Sequence, residues 1–294
     1  MPPDALPAIC AFPDASPVVP VARIVAAGMM GAEAGTAGRL GFRTLASDLA
    51  RALDPVVFMR AAGVLPDPWQ ADVLRSPARQ ILLNCCRQSG KSTVTAALAV
   101  HTALYHPGSL VILLAPSQRQ SLELFRKVTS FYRVAGAVDL EAESAQRLEL
   151  PNGSRLVALP GNPETTRGFS APALVIIDEA AFTTDELAYA VRPMLATSGG
   201  RFVAMSTPFG RRGWFHDAWS DGGDGWQRVK ITAHECPRIT PDFLESERRA
   251  LPPHRYASEY ECAFVDTDDA VFPSDLVAAS IRANMPALFP AFRW

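Results

Sequence analysis

A chain of 294 residues, 48% of them hydrophobic, is globular by composition and long enough to bury a core in one large domain or two modest ones. Its formal net charge of -2 provides no global basic field, so binding to nucleic acid would have to use local clusters of arginine and lysine. Cys85 and Cys86 are adjacent while Cys10, Cys236 and Cys262 are scattered, which is no disulfide framework and points to a reducing compartment. No apolar run approaches the roughly 20 residues that span a bilayer, and the start MPPDALPAIC lacks the basic region of a secretory signal. A cytoplasmic protein with no membrane insertion is the expectation.

Residues 1–40 are rich in Ala, Pro and Gly, carry no clear apolar periodicity, and are expected to form a flexible tail. Leu45, Leu49 and Leu53 recur at helical spacing until Pro55 breaks the run, and a further helix is expected to start near Pro68. An alternation follows: strand QILLNC, a helix from Ser92 to Tyr105, strand SLVILLAP, a helix from Ser117 to Tyr132, strand ALVIID, helix DELAYAVRPML and strand RFVAMST. Short apolar strands alternating with helices imply an α/β fold with a mostly parallel sheet covered on both faces. Between them QRLELPNGSRLVALP, two alternating runs around Pro151, Asn152 and Gly153, reads as a hairpin insertion. Beyond Ser206 a glycine-rich and aromatic stretch, one strand QRVKIT and a helix near TPDFLESERRAL suggest a small appended lid. The expected organisation is a core over 41–210, a lid subdomain over 211–265 and a linker stub over 266–294.

Chemistry concentrates at NCCRQSGKST, where Gly90, Lys91 and Ser92 stand between a buried strand and a helix, the setting of a P-loop. Gly90 lets the backbone approach phosphates, the helix N-terminus holds their charge, Lys91 reaches the β and γ phosphates, and Ser92 ligates magnesium. Arg87, Gln88, Ser89 and Thr93 complete the expected nucleotide contacts. LVIIDE supplies the second half: a buried strand presents Asp178, to hold magnesium through water, and Glu179, to polarise the water that attacks the γ-phosphate. Gln70, beside Trp69, is placed to read an adenine edge. Ser206 and Thr207, ending a strand, belong at the sheet's carboxyl edge where a γ-phosphate sensor sits. Arg87 and Arg167 are the candidate cations for transition-state charge, Arg167 as an arginine finger. Arg211 and Arg212 could touch a phosphate backbone or form a solvated face. His234 and Cys236 lack a second ligand pair at zinc-finger spacing, and the acidic Asp266, Asp268 and Asp269 read as a solvated cluster, so magnesium is the one metal expected.

In order, DPWQADVL, NCCRQSGKST, APSQRQS, LPNGSRL, TTRGFSAPALVIIDEAAF, AMSTPFGRRGWFHDAW and RYASEYECAFVD resemble the ATPase portion of phage terminase large subunits, over roughly residues 50 to 266. The resemblance implies a P-loop NTPase using ATP and Mg2+, and an arginine inside the loop, Arg87, that contacts phosphate or the transition state. It further implies Gln70 as the adenine-reading residue, Lys91 and Ser92 as phosphate and magnesium ligands, Asp178 and Glu179 as the magnesium and catalytic carboxylates, and Ser206-Thr207 as the coupling motif. Implied partners are double-stranded DNA, a portal protein and a small terminase subunit, with a homo-oligomeric ring as the working form. Family members usually continue into an RNase H-like nuclease domain. This chain ends where that domain would begin, so no nuclease activity is expected in it. A helicase-like DNA-dependent ATPase, or an inactive prophage remnant that binds nucleotide only, are the competing readings.

Overall fold

The computed structural model describes residues 45–135, 140, 142–266 and 274–281. The chain divides into two units, Met1–Phe42 and Arg43–Trp294, and every described residue belongs to the second. The tail expected over 1–40 and much of the stub expected over 266–294 lie outside the described residues.

Three short helices open the described chain: α1 (Leu45–Leu53), α2 (Pro55–Ala61) and α3 (Pro68–Arg75). Asp54 separates the first two by accepting a hydrogen bond from Val56 N at 2.9 Å, while Pro55 takes the first helical position, where its missing N–H costs nothing. Strand β1 (Gln80–Cys85) then runs through a loop into α4 (Lys91–Tyr105), and β2 (Leu110–Ala115) into α5 (Gln118–Val134). The short strands β3 (Ala142–Glu143) and β4 (Arg147–Glu149) precede β5 (Arg155–Pro160) and the single-turn α6 (Pro163–Thr166). Strand β6 (Leu174–Asp178), α7 (Asp185–Met194), β7 (Arg201–Ser206), α8 (Gly213–Ser220) and β8 (Gln227–Ile231) continue the alternation. Helices α9 (Pro241–Ala250), α10 (Pro253–Glu261) and α11 (Ser274–Ser280) follow.

The strands build one eight-stranded sheet in the order β3-β4-β5-β2-β6-β7-β1-β8, parallel from β5 to β8 and antiparallel only at the β3–β4–β5 edge. Alternate strand residues point to opposite faces, which is why the sheet carries two cores. Ile81, Leu83, Val111, Leu113, Ile176 and Met205 face one side, under α2 to α5. Leu82, Ile112, Leu114, Ile177 and Phe202 face the other, where Leu187 and Val191 of α7 and Trp214 and Phe215 of α8 close over them. Burial on both faces explains why these strands read as unbroken apolar runs.

Two elements depart from the expected organisation. The hairpin forms, with Gly153 N donating to Leu150 O at 2.9 Å, but it is no separate insertion: β5 also pairs in parallel with β2, because Leu156 and Ala158 are fully buried in the main core. Strand β8, assigned to the lid from sequence, pairs in parallel with β1 and extends the sheet, with Cys86 N donating to Ile231 O at 2.9 Å where the ladder ends. Without β8 the strand β1 would present an unpaired edge. Among the described residues no helix is long and apolar enough to cross a membrane.

Candidate nucleotide site

At the carboxyl ends of β1, β6 and β7 a cavity of about 750 Å³ opens between the first turn of α4 and the segment leading into α9. Ligands of open parallel sheets bind at this edge. The floor is the β1–α4 loop. Its backbone turns through left-handed geometry at Gln88 (φ 62°) and Gly90 (φ 92°). The left-handed φ favours glycine at position 90, and a Cβ there would lie 2.6 Å from Gln70 Nε2 and push that amide away. Arg87, Gln88, Gly90, Lys91, Ser92 and Thr93 all line the cavity, whereas Ser89 is fully buried beneath it. Cys85, where a general P-loop would begin with glycine, is the last residue of β1 and fully buried, and that burial pushes its thiol well above the ordinary range.

Glu179 faces the loop from the end of β6. Lys91 Nζ stands 3.5 Å from Glu179 Oε1, joining the two halves of the site across β7. Glu179 adopts left-handed backbone angles (φ 49°, ψ 46°), an uncommon conformation for a side chain of its size. Its own N–H turns back to donate to Asp178 Oδ1 at 2.9 Å. Burial first, and the Glu179 charge second, push the Asp178 carboxyl up to about 6. Ser206, fully buried at the end of β7, donates to Glu179 Oε2 at 3.4 Å, and Thr207 is buried beside it.

The remaining expected residues fall into place differently. Gln70, expected to read adenine, is buried and does not line the cavity: its Oε1 accepts from Asp67 N at 2.9 Å and its Nε2 donates to Gly90 O at 3.3 Å. It braces the loop from behind. Arg87 pairs with Glu259 of α10 through Nε and, at 3.2 Å, through Nη2, and this pairing raises its pKa. Arg167 caps the single-turn α6 on the exposed surface and does not line the cavity of its own chain. Arg211 donates to Phe264 O at 3.2 Å, and the Arg212 guanidinium lies 5.1 Å from the Phe209 ring centroid. Sequence reasoning missed Lys127 of α5 and Arg238, Ile239, Thr240 and Phe243, all of which line the cavity. They come from surfaces remote in sequence and carry no motif.

The family model for the T4likevirus-type terminase large subunit, N-terminal part, matches residues 82–278. The chain belongs to this terminase family. It is 26% identical over 253 residues to the terminase large subunit of Thermus virus P23-45, covering 73% of this chain and 52% of that protein. It thus spans about half the length of the curated relatives it matches. Among solved structures, the ATPase domain of the Thermus phage P74-26 large terminase superposes with a TM-score of 0.63 at 22% identity, covering 71% of this chain and 97% of that one. The large terminase of a thermophilic bacteriophage, solved in complex with ADP, superposes with a TM-score of 0.54 at 13% identity, covering 73% and 53%. The shared fold is that of the terminase ATPase domain.

Proposed function

We propose that this chain hydrolyses ATP as the motor portion of a phage terminase, converting hydrolysis into translocation of double-stranded DNA into a procapsid. The observation that carries the reading is the Lys91–Glu179 contact at 3.5 Å inside the cavity at the sheet's carboxyl edge. An ordinary strand-turn-helix has no reason to aim a lysine at a carboxylate held in left-handed backbone two strands away.

The triphosphate lies along the β1–α4 loop, where the N-terminus of the 15-residue α4 favours anions. Lys91 neutralises the β and γ oxygens. Glu179 accepts the proton of the attacking water, and Ser206, hydrogen-bonded to the same carboxylate, fixes its rotamer and senses its state. Arg87 supplies positive charge for the transition state when it leaves Glu259. The hydroxyl of Ser92 and the carboxylate of Asp178 are hard oxygen donors, and the raised Asp178 pKa marks a buried carboxylate short of positive charge. This donor set fits Mg2+, which Ser92 and Asp178 would hold. Bound there, the ion would screen the phosphate charge.

Double-stranded DNA, a portal protein and a small terminase subunit are the proposed partners, in a homo-oligomeric ring acting in the host cytoplasm, with Arg167 offered from its exposed turn to a neighbouring copy. The test is Mg2+-dependent ATP hydrolysis by the purified chain, with and without double-stranded DNA, beside Lys91→Ala and Glu179→Ala. Turnover lost in both variants supports the reading. Equal turnover in the wild type and both variants sinks it.

A further inference from the structure

Two carbonyl groups of the phosphate loop are held by side chains that lie outside the loop, Arg238 at the cavity wall and Gln70 buried away from it. Arg238, from the segment entering α9, donates Nη2 to Ser89 O at 2.8 Å. The same guanidinium forks onto Asp67, with Nη1 3.0 Å from Oδ1 and Nη2 2.7 Å from Oδ2. Gln70, three residues after Asp67, donates to the next carbonyl, Gly90 O, at 3.3 Å, while its Oε1 accepts from Asp67 N. Arg238, Asp67 and Gln70 therefore form one connected brace.

The peptide unit is planar and trans, so a carbonyl that points one way fixes its N–H the other way. Holding Ser89 O toward Arg238 turns Gly90 N–H away from it, and holding Gly90 O toward Gln70 and along α4 turns Lys91 N–H out of the helix end. Gly90 O also accepts from Thr93 N at 3.0 Å and Val94 N at 3.1 Å, in agreement with this orientation. Gly90 is the position most in need of such control, since its left-handed φ of 92° is one that glycine leaves as easily as it enters.

We propose that Arg238 is a positioning residue for phosphate binding: by holding the Ser89 carbonyl, with Asp67 aiming its guanidinium, it presets the loop N–H groups toward the anion. The inference rests on reading the cavity as a nucleotide site and adds a determinant from outside the loop. It makes the segment after β8 part of the phosphate site, so movement of α9 and the loop's grip on phosphate are linked. Lysine cannot replace the fork, because one ammonium does not span Asp67 and Ser89 O in the same plane.

The experiment measures the affinity of the full chain for Mg-ADP and for Mg-tripolyphosphate by calorimetry, in the wild type, Arg238→Lys, Arg238→Ala and Lys91→Ala, with melting curves alongside. A positioning role predicts that both Arg238 variants weaken both ligands by a similar factor, about tenfold for the loss of one charge-assisted hydrogen bond. The lysine variant should melt close to the wild type. Loss confined to ADP would make Arg238 a contact for the nucleoside and overturn the proposal. Wild-type affinity in Arg238→Lys would overturn it too, as would failure of both variants to fold, which would make Arg238 a residue of the fold. If the wild type binds neither ligand, or Lys91→Ala binds both equally well, the nucleotide-site reading itself falls, and that outcome is distinct from the others.

Discussion

Lys91 and Glu179 meet at 3.5 Å although Lys91 opens the helix after β1 and Glu179 follows β6, with β7 between those strands, and their side chains are only 10% and 27% exposed. Glutamate in this position serves two partners, since Ser206 reaches its other oxygen. On the proposed function, nucleotide would draw the lysine from the carboxylate to the phosphates and leave Glu179 to the water. Glu179→Gln should therefore bind ATP about as tightly as the wild type and lose turnover by a factor on the order of 10² or more, since the proton acceptor is gone. Lys91→Ala should instead lose binding. Single-turnover and binding measurements on the two variants separate the roles, and an active Glu179→Gln protein would remove Glu179 from the chemistry.

Ser206 is fully buried, does not line the cavity and donates to Glu179, so its effect is expected to pass through that carboxylate. Ser206→Ala removes one neutral donor to a carboxylate and should lower kcat by roughly tenfold while leaving ADP affinity intact. Steady-state kinetics with ADP titrations check this. An equal loss in ADP affinity would mean that the substitution disturbs the loop and not the carboxylate.

Arg87 is paired with Glu259, but the two side chains are 65% and 28% exposed, so the pair adds little to stability. Its meaning is positional: α10 holds the arginine ready beside the cavity. Arg87→Ala should lower turnover by about 10² or more if its charge reaches the transition state, whereas Glu259→Gln should shift the melting temperature little and keep Arg87 functional. Turnover in the two variants decides the matter: an Arg87→Ala protein at wild-type rate makes the ion pair a surface feature only.

Much of this was legible in the sequence for definite physical reasons. The central strands are buried on both faces, so β1, β2, β6 and β7 stand out as apolar runs, and β6 and β7 end in the polar Asp178 and Ser206 at the sheet's carboxyl edge. Helix α1 was also readable from its leucine spacing, yet Leu45 and Leu53 are 67% and 74% exposed: periodicity reported the helix and said nothing of burial. Strand β8 was recognised as a strand but not as part of the sheet, because only Ile231 of its five residues is buried and pairing with β1 is a long-range event. Arg238 could not be found at all. It meets Ser89 across 149 positions of sequence, and an arginine between Pro237 and Ile239 looks like any surface residue until the fold delivers it. Gln70 shows the converse: its residue type suggested a base contact, and the fold gives its Nε2 to the loop carbonyl of Gly90 and its Oε1 to Asp67 N at the start of α3.

Asp178 gives the site a signature in pH. Its carboxyl is pushed from 3.8 to about 6 by burial and by Glu179. A raised carboxylate pKa means that the folded protein binds the proton more tightly than the unfolded chain does, so stability falls as pH rises from about 4 through 6 and stays low above that. The sign is opposite to that of a salt-bridged carboxylate. Asp178→Asn should therefore melt higher than the wild type at pH 8 in the absence of nucleotide and metal, and the difference should shrink at pH 5, where the wild-type carboxyl is largely protonated. Melting temperatures of the two proteins across this range provide the check. Millimolar magnesium with ADP should close the gap at pH 8 from the wild-type side, since only the carboxylate gains from the cation. A wild type more stable than Asp178→Asn at pH 8 without ligand would mean that the carboxylate already has a compensating partner, and that burial is not what governs it.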